Sequence, residues 1–254
     1  MSVLNIAAYH FVDIDSVDDF LCQMREACEA RQLLGTVLVA PEGINLFLAG
    51  APDAIHGLLD WLRADPRFAA IEVKFSHSRQ LPFGRLRVRR KREIISFRQP
   101  QLRPMEQRAP AVDPATLKRW LDRGHDDAGR AVVMVDTRNA QEHLYGSFAQ
   151  AITLPIVKFT ELGPALETHR ETLQDKTVVS FCTGGIRCEK AALWMQQAGY
   201  GNVLQLDGGI LGYFEQQGGA HYRGDCFVFD DRVALKPDLS PLVDVPETPD
   251  AIEL

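Results

Sequence analysis

The stretch Val178-Val179-Ser180-Phe181-Cys182-Thr183-Gly184-Gly185-Ile186-Arg187-Cys188-Glu189-Lys190-Ala191-Ala192 decides the fold. An apolar run rich in β-branched residues stops at a cysteine, and two glycines and an arginine follow. A helical pattern then starts, with Ala191, Ala192, Trp194 and Met195 among its apolar positions. This order predicts a buried strand, a tight loop and a helix, with a thiol at the C-terminal end of the strand. A loop of Thr183, Gly184, Gly185 and Ile186 can curl its N–H groups around the sulfur. The helix N-terminus adds positive potential, and Arg187 adds a full charge. Each effect favours the thiolate, the nucleophilic form. Cys182 is the candidate catalytic residue, and 183–187 form its anion cradle.

From Cys182 to Arg187 the loop holds six residues. That ring is smaller than the cysteine–arginine loop of phosphate-monoester phosphatases and suits a sulfur atom or a small persulfide. In this it resembles the active-site loop of the rhodanese family. Upstream, Val135-Asp136-Thr137-Arg138-Asn139, followed by Glu142 and Gly146, resembles that family's other signature, which ends a strand and buttresses the loop. The resemblance implies an α/β fold with a doubly wound parallel sheet, and makes Asp136, Arg138 and Glu142 loop-support residues.

With 254 residues, 46% of them apolar and 24% charged, the chain has the material for one or two globular domains. No apolar run approaches the roughly 18 residues that span a bilayer. The first eight residues lack the basic start and long apolar core of a signal peptide. The five cysteines include no CxxC pair, and no HExxH occurs, so no metal site is expected. His10, His77, His143 and His221 show no ligand spacing, and Cys22 and Cys28 point apart on a predicted helix. No flavin, haem or iron motif is present, so no cofactor is identifiable. The chain reads as cytoplasmic, with reduced thiols, no membrane association and no stable protein partner.

The net charge of −6 argues against a protein that simply coats nucleic acid. Its distribution is uneven: residues 79–108 hold ten Lys and Arg against Glu93 and Glu106. In Arg85-Leu86-Arg87-Val88-Arg89-Arg90-Lys91-Arg92, strand periodicity puts Arg85, Arg87 and Arg89 on one face and the apolar residues on the other. Two readings stand: a solvated edge strand protected by charge, or a strip that binds a polyanion such as RNA.

Along the chain, a strand is expected at 6–12 and a helix from a capping-box pattern at Ser16-Val17-Asp18-Asp19 to about Gln32. A hairpin follows (36–40 and 44–49, joined by Pro41-Glu42-Gly43), then a helix opened by Pro52 and a strand at 71–75. This βαββαβ order indicates an α+β, ferredoxin-like or acylphosphatase-like domain over 1–98, its basic strand at 85–95. A proline-containing linker occupies 99–112. The rhodanese domain runs over 113–220, with a helix capped by Asp113-Pro114 and strands at 132–136, 151–154, 177–182 and 203–206. Its other helices fall at 161–173, from Glu189 to Gly199, and after Gly208-Gly209. Residues 221–254 form an extension that packs on the domains and ends loosely.

The match reaches beyond one domain. Ala40-Pro41-Glu42-Gly43-Ile44-Asn45, Pro82-Phe83-Gly84, the Cys182–Ala191 loop and helix start, Gln205-Leu206-Asp207-Gly208-Gly209-Ile210 and Phe227-Val228-Phe229-Asp230 together look like the bacterial tRNA uridine hydroxylase family. That resemblance implies hydroxylation of the wobble uridine at C5, with molecular oxygen as co-substrate and tRNA, through its anticodon region, as partner. It makes Cys182 the active-site cysteine. The chain departs from the family at Leu46-Phe47-Leu48-Ala49-Gly50, where Gly-Thr-Ile-Ser-Gly is commoner, at Gln141, where an aromatic residue is usual, and at Ala149-Gln150-Ala151. Cys188 is either a thiol that resolves an oxidised Cys182 or a small residue tucked into the first helical turn. Two other functions compete: a sulfurtransferase drawing on thiosulfate or a persulfide, and a non-catalytic adaptor whose cysteine senses oxidants.

Overall fold

A computed structural model describes residues 2–243. The first sheet is built from β1 (Val3–Phe11), β2 (Leu34–Ala40), β3 (Gly43–Gly50), β4 (Val73–Ser78) and β5 (Leu86–Arg90), in the order β4-β1-β3-β2-β5. β5 runs parallel to β2; the other pairs are antiparallel. Helices α1 (Val17–Glu29) and α2 (Pro52–Arg63) cover one face. Phe20, Met24, Ile55 and Leu58 of these helices join Ile6, Val37, Leu46 and Leu48 of the strands in a single core. The β2–β3 turn needs glycine. A Cβ on Gly43, at φ 143°, would lie 2.0 Å from the His10 carbonyl oxygen.

The second sheet is all parallel. Its strands β6 (Ala111–Val112), β7 (Val132–Asp136), β9 (Ile152–Thr153), β10 (Thr177–Phe181) and β11 (Asn202–Leu206) take the order β6-β11-β10-β7-β9. Helices α3 (Pro114–Arg123) and α8 (Gly209–Gln217) cover one face; α5 (Leu162–Glu167), α6 (Arg170–Leu173) and α7 (Ile186–Gln197) cover the other. Along β10, Val178 faces one core while Val179 and Phe181 face the other, which is why this strand reads as a continuous apolar run. Asp113 caps α3, accepting from the Thr116 N–H at 2.9 Å. The fold is thus a rhodanese-like doubly wound sheet preceded by an acylphosphatase-like α+β domain.

Several expected elements differ. Ser16 precedes α1 without a side-chain cap, and the helix stops at Glu29, because Gln32 turns to φ 53°. The fourth strand starts at Val73 rather than Ile71, which is buried in the core ahead of it. The basic strand covers only Leu86–Arg90. The single helix expected over 161–173 is broken between α5 and α6, where the Thr168 hydroxyl donates to the Ala165 carbonyl at 2.8 Å and takes the place of a continuing turn. Small elements carried no readable period: α4 (Ala140–His143), β8 (Gly146–Phe148), β12 (Tyr222–Gly224), β13 (Cys226–Phe227) and β14 (Ala234–Leu235). β12 pairs with β8 and β13 with β14, so the extension expected over 221–254 contains a buried strand, Ala234–Leu235. The loose end expected of it lies outside the described residues.

Residues 99–112 are not a free tether. Leu102 and Ala109, with Phe97 ahead of them, are buried in the second core, and Ala111–Val112 forms β6. A buried lysine ties the two sheets together. Lys190, on α7, donates to Glu42 at 2.9 Å, Glu93 at 2.8 Å and the Ile95 carbonyl at 3.1 Å. The C-terminal segment adds a second tie through Arg232, which holds Asp230 and donates to Ser76 on β4 at 2.7 Å.

Candidate active site

Cys182 is the first residue after β10, one position past the strand that its sequence suggested would include it. Gly185, at φ 102°, is the N-cap of α7, which begins at Ile186 rather than Glu189. Arg187 and Cys188 therefore sit in the first helical turn. The Gly185 N–H donates to the Cys182 sulfur at 3.2 Å. Burial alone would raise the thiol pKa, since the residue is 1% exposed. The Cys188 thiol, the Arg187 charge and the N–H groups of Arg187 and Gly185 more than offset it, bringing the value down to about 6. Cys188 moves the other way: burial and then the neighbouring Cys182 sulfur keep its proton on, well above the ordinary thiol range. The two shifts run in opposite directions, so Cys182 gives up its proton more readily than Cys188.

The three expected loop-support residues do different work. Glu142 is fully buried and pairs with Arg187 through N···O contacts of 2.9 and 2.8 Å. Its Oε1 also accepts the Asn139 N–H at 3.0 Å, completing the cap of α4. Asp136 and Arg138 do not reach the loop through hydrogen bonds. They pair with each other at 2.9 and 2.6 Å, and hold the Gly146 carbonyl and the Ser147 hydroxyl of β8. Their segment supports the loop through backbone, the Thr137 N–H donating to the Phe181 carbonyl at 3.0 Å. The loop's underside is held by α8, whose Ile210 and Leu211 N–H groups donate to the carbonyls of Cys182 and Thr183 at 2.9 and 3.0 Å. A Cβ on Gly209 would stand 2.6 Å from the Cys182 carbonyl oxygen, so no larger residue fits.

The sulfur borders a cavity of about 320 Å³ between the domains. One wall is the rhodanese loop; the opposite wall is the helix-free face of the first sheet, with Tyr9, Phe47 and Lys74. Tyr9 leans over the loop and donates to Glu189 at 3.2 Å; a Cβ on Gly185 would come within 2.9 Å of its hydroxyl. Burial, then the charges of Glu189 and Cys182, keep the Tyr9 proton on well above the usual range. Glu189 also receives Arg108 at 3.1 Å and Gln205 at 3.0 Å. Arg108, Tyr9 and Glu189 were not picked from the sequence. Only Glu189, inside the loop motif, gave any signal. Arg85, Arg87 and Arg89 are exposed at the far edge of the first sheet and do not line the cavity. Among the described residues no group of three metal-ligating side chains gathers, and no helix is long and apolar enough to cross a membrane.

A cysteine loop of this construction at the C-terminal edge of a parallel sheet defines a rhodanese-like domain, and residues 113–216 match the rhodanese-like domain family. Residues 3–94 match the UPF0176 acylphosphatase like domain. Over nearly its whole length the chain is similar to curated proteins called tRNA uridine(34) hydroxylase. The one from Xanthomonas axonopodis pv. citri is 59% identical over 244 residues, covering 96% of this chain and 98% of that protein. The one from Cupriavidus necator is 58% identical over 241 residues, covering 95% and 86%. The chain belongs to the tRNA uridine(34) hydroxylase family. Among solved structures, the rhodanese-like domain of an Anabaena protein is 20% identical and covers 45% of this chain and 79% of its own, with a TM-score of 0.37.

Proposed function

We propose that this chain hydroxylates uridine 34 of tRNA through Cys182, forming 5-hydroxyuridine with molecular oxygen as co-substrate. The observation that carries the reading is a thiol poised as thiolate at the edge of a cavity that both domains wall, of a size suited to a small ligand. The relatives' name supports the substrate. Such a thiolate can add to C6 of a uracil ring. The electron pair of the C5–C6 double bond then moves toward O4 and C5 becomes the nucleophilic carbon. C5 takes one oxygen atom from O2 while a two-electron reductant, such as a small thiol, carries the other to water; loss of the C5 proton then expels the thiolate from C6. Arg187 and the Gly185 N–H keep the sulfur charged before addition and stabilise it on departure. A tRNA substrate implies a cytoplasmic site of action and recognition of the anticodon region, with no membrane involved.

The test is nucleoside mass spectrometry of tRNA from a strain lacking this gene and every redundant route, with and without the gene restored. Return of 5-hydroxyuridine-derived nucleosides is the expected result. Unchanged nucleosides, with thiocyanate formed from thiosulfate and cyanide by the purified protein, would establish the sulfurtransferase reading of the same loop instead.

Arg85, Arg87 and Arg89 are the proposed phosphate ligands. Replacing all three by Gln should lower tRNA affinity and flatten its salt dependence by roughly 0.7–0.9 in log–log slope for each phosphate that is no longer neutralised. Binding titrations across a salt series measure this directly. The same slope in the triple variant would leave β5 as a solvated edge. Val88, 4% exposed, should act oppositely, its polar replacement costing stability before binding.

A further inference from the structure

We propose that the helix-free face of the first sheet is a stacking platform for the nucleotide beside the target uridine, with Phe47 as the ring it lies against. The inference rests on the tRNA reading above and names a residue and a role within it.

Paired residues in neighbouring strands project to the same face of a sheet. The register is Arg87 beside Thr36, Thr36 beside Phe47, Phe47 beside Ala7 and Ala7 beside Lys74. One row therefore crosses all five strands. It lies on the face turned away from α1 and α2, since the residues flanking it (Val37, Val88, Leu46 and Leu48) fill the core beneath those helices. Phe47, Ala7 and Lys74 line the cavity that holds Cys182; Thr36 and Arg87 carry the row out to the sheet edge. The register places Arg89 on the same face beside Leu38, and exposed Arg85 directly precedes the strand.

Phe47 is half-buried, whereas its neighbours Leu46 and Leu48 are fully buried. The residues on either side of it, Ala7 and Thr36, are small, and the ring borders the cavity. Among the described residues no other ring meets it, and Arg85, Arg87 and Arg89 make no ion pair. A part-exposed aromatic ring two strands from an unpaired guanidinium, about 10 Å away, matches a base with its phosphate. The charge of one sign at the edge favours RNA over a protein partner. Nucleobases stack on such rings whatever their identity, and a sheet face bearing aromatics is a recurrent way to hold single-stranded RNA.

The test uses the full chain and synthetic RNA hairpins of anticodon-arm sequence. Each contains the target uridine and carries 2-aminopurine at the position before or after it. With the wild type, fluorescence of one of the two should be quenched on binding. Phe47→Tyr should keep the quenching, while Phe47→Leu should lose it and bind about tenfold more weakly. The thermal midpoint and the Cys182 alkylation rate should be as in the wild type, which separates stacking from a packing role. Equal quenching and affinity in the Leu variant, with uridine still modified by the wild type, would overturn the platform alone. A wild type that neither binds nor modifies the hairpin would overturn the tRNA reading and the platform with it.

Discussion

Lys190→Met is expected to destabilise the folded chain by about 3–5 kcal/mol, the usual effect of removing one partner from a buried charge cluster. Lys190 is 1% exposed and reaches from α7 to two carboxylates of the first domain's side of the junction. Those carboxylates also organise backbone: Glu42 accepts the Ile94 N–H, and Glu93 accepts those of Phe97 and Arg98. Without the ammonium, two part-buried acids face each other with no cation between them. The expected drop in midpoint is on the order of 10 °C. Burial alone would raise the Glu93 pKa, but Lys190 and the Phe97 N–H bring it below the ordinary carboxylate range. A depressed pKa contributes stability above the unfolded value, lost as pH falls through the folded one. The variant's deficit should therefore be largest at neutral pH and shrink in acid. Adding Glu42→Gln and Glu93→Gln should recover much of the loss. Denaturant unfolding across a pH series is the check, and a loss below about 1 kcal/mol at pH 7 would show that the junction is held by apolar contacts alone.

Arg187→Met should strike both the loop and its chemistry. It leaves Glu142, which is fully buried, without its counter-charge, and removes one of the groups that keep the Cys182 proton off. In the wild type, reaction with iodoacetamide should be half-maximal near pH 6 and level above neutrality, because the depressed pKa leaves the sulfur mostly as thiolate there. In the variant the half-point should move toward the ordinary thiol range, and the rate at pH 7 should fall by on the order of tenfold. Arg187→Lys should recover only part, since an ammonium cannot hold both carboxylate oxygens as the guanidinium fork does. Cys28 and Cys226 serve as internal standards: burial pushes both up to about 12, so they should stay unlabelled. Coincident pH profiles for wild type and variant would rule out Arg187 as a source of the thiol's acidity.

What could be read from the sequence was local. Strand β10, the glycine pair, Arg187 and the start of α7 are contiguous, so their chemistry follows from spacing, and the βαββαβ order follows from alternating periods. The junction is different in kind. Lys190 meets Glu42 across 148 positions and Glu93 across 97, and Tyr9 meets Glu189 across 180. No periodicity within a window can pair such residues. Strands of two or three residues such as β8 and β13 are too short to show alternation; their partners define them. Asp136 and Arg138 show a further limit: the motif groups them with Glu142 as loop support, and only the fold shows that their charges serve β8 while Glu142 serves Arg187.

The most direct test of Cys182 as the residue that modifies uridine 34 is complementation. A strain without the gene or a redundant route receives either the wild-type chain or Cys182→Ser, at matched levels of folded protein, and its tRNA nucleosides are measured by mass spectrometry. The wild type should restore 5-hydroxyuridine-derived nucleosides and the serine variant should restore none. Equal restoration by the serine variant would contradict the central role assigned to the thiolate.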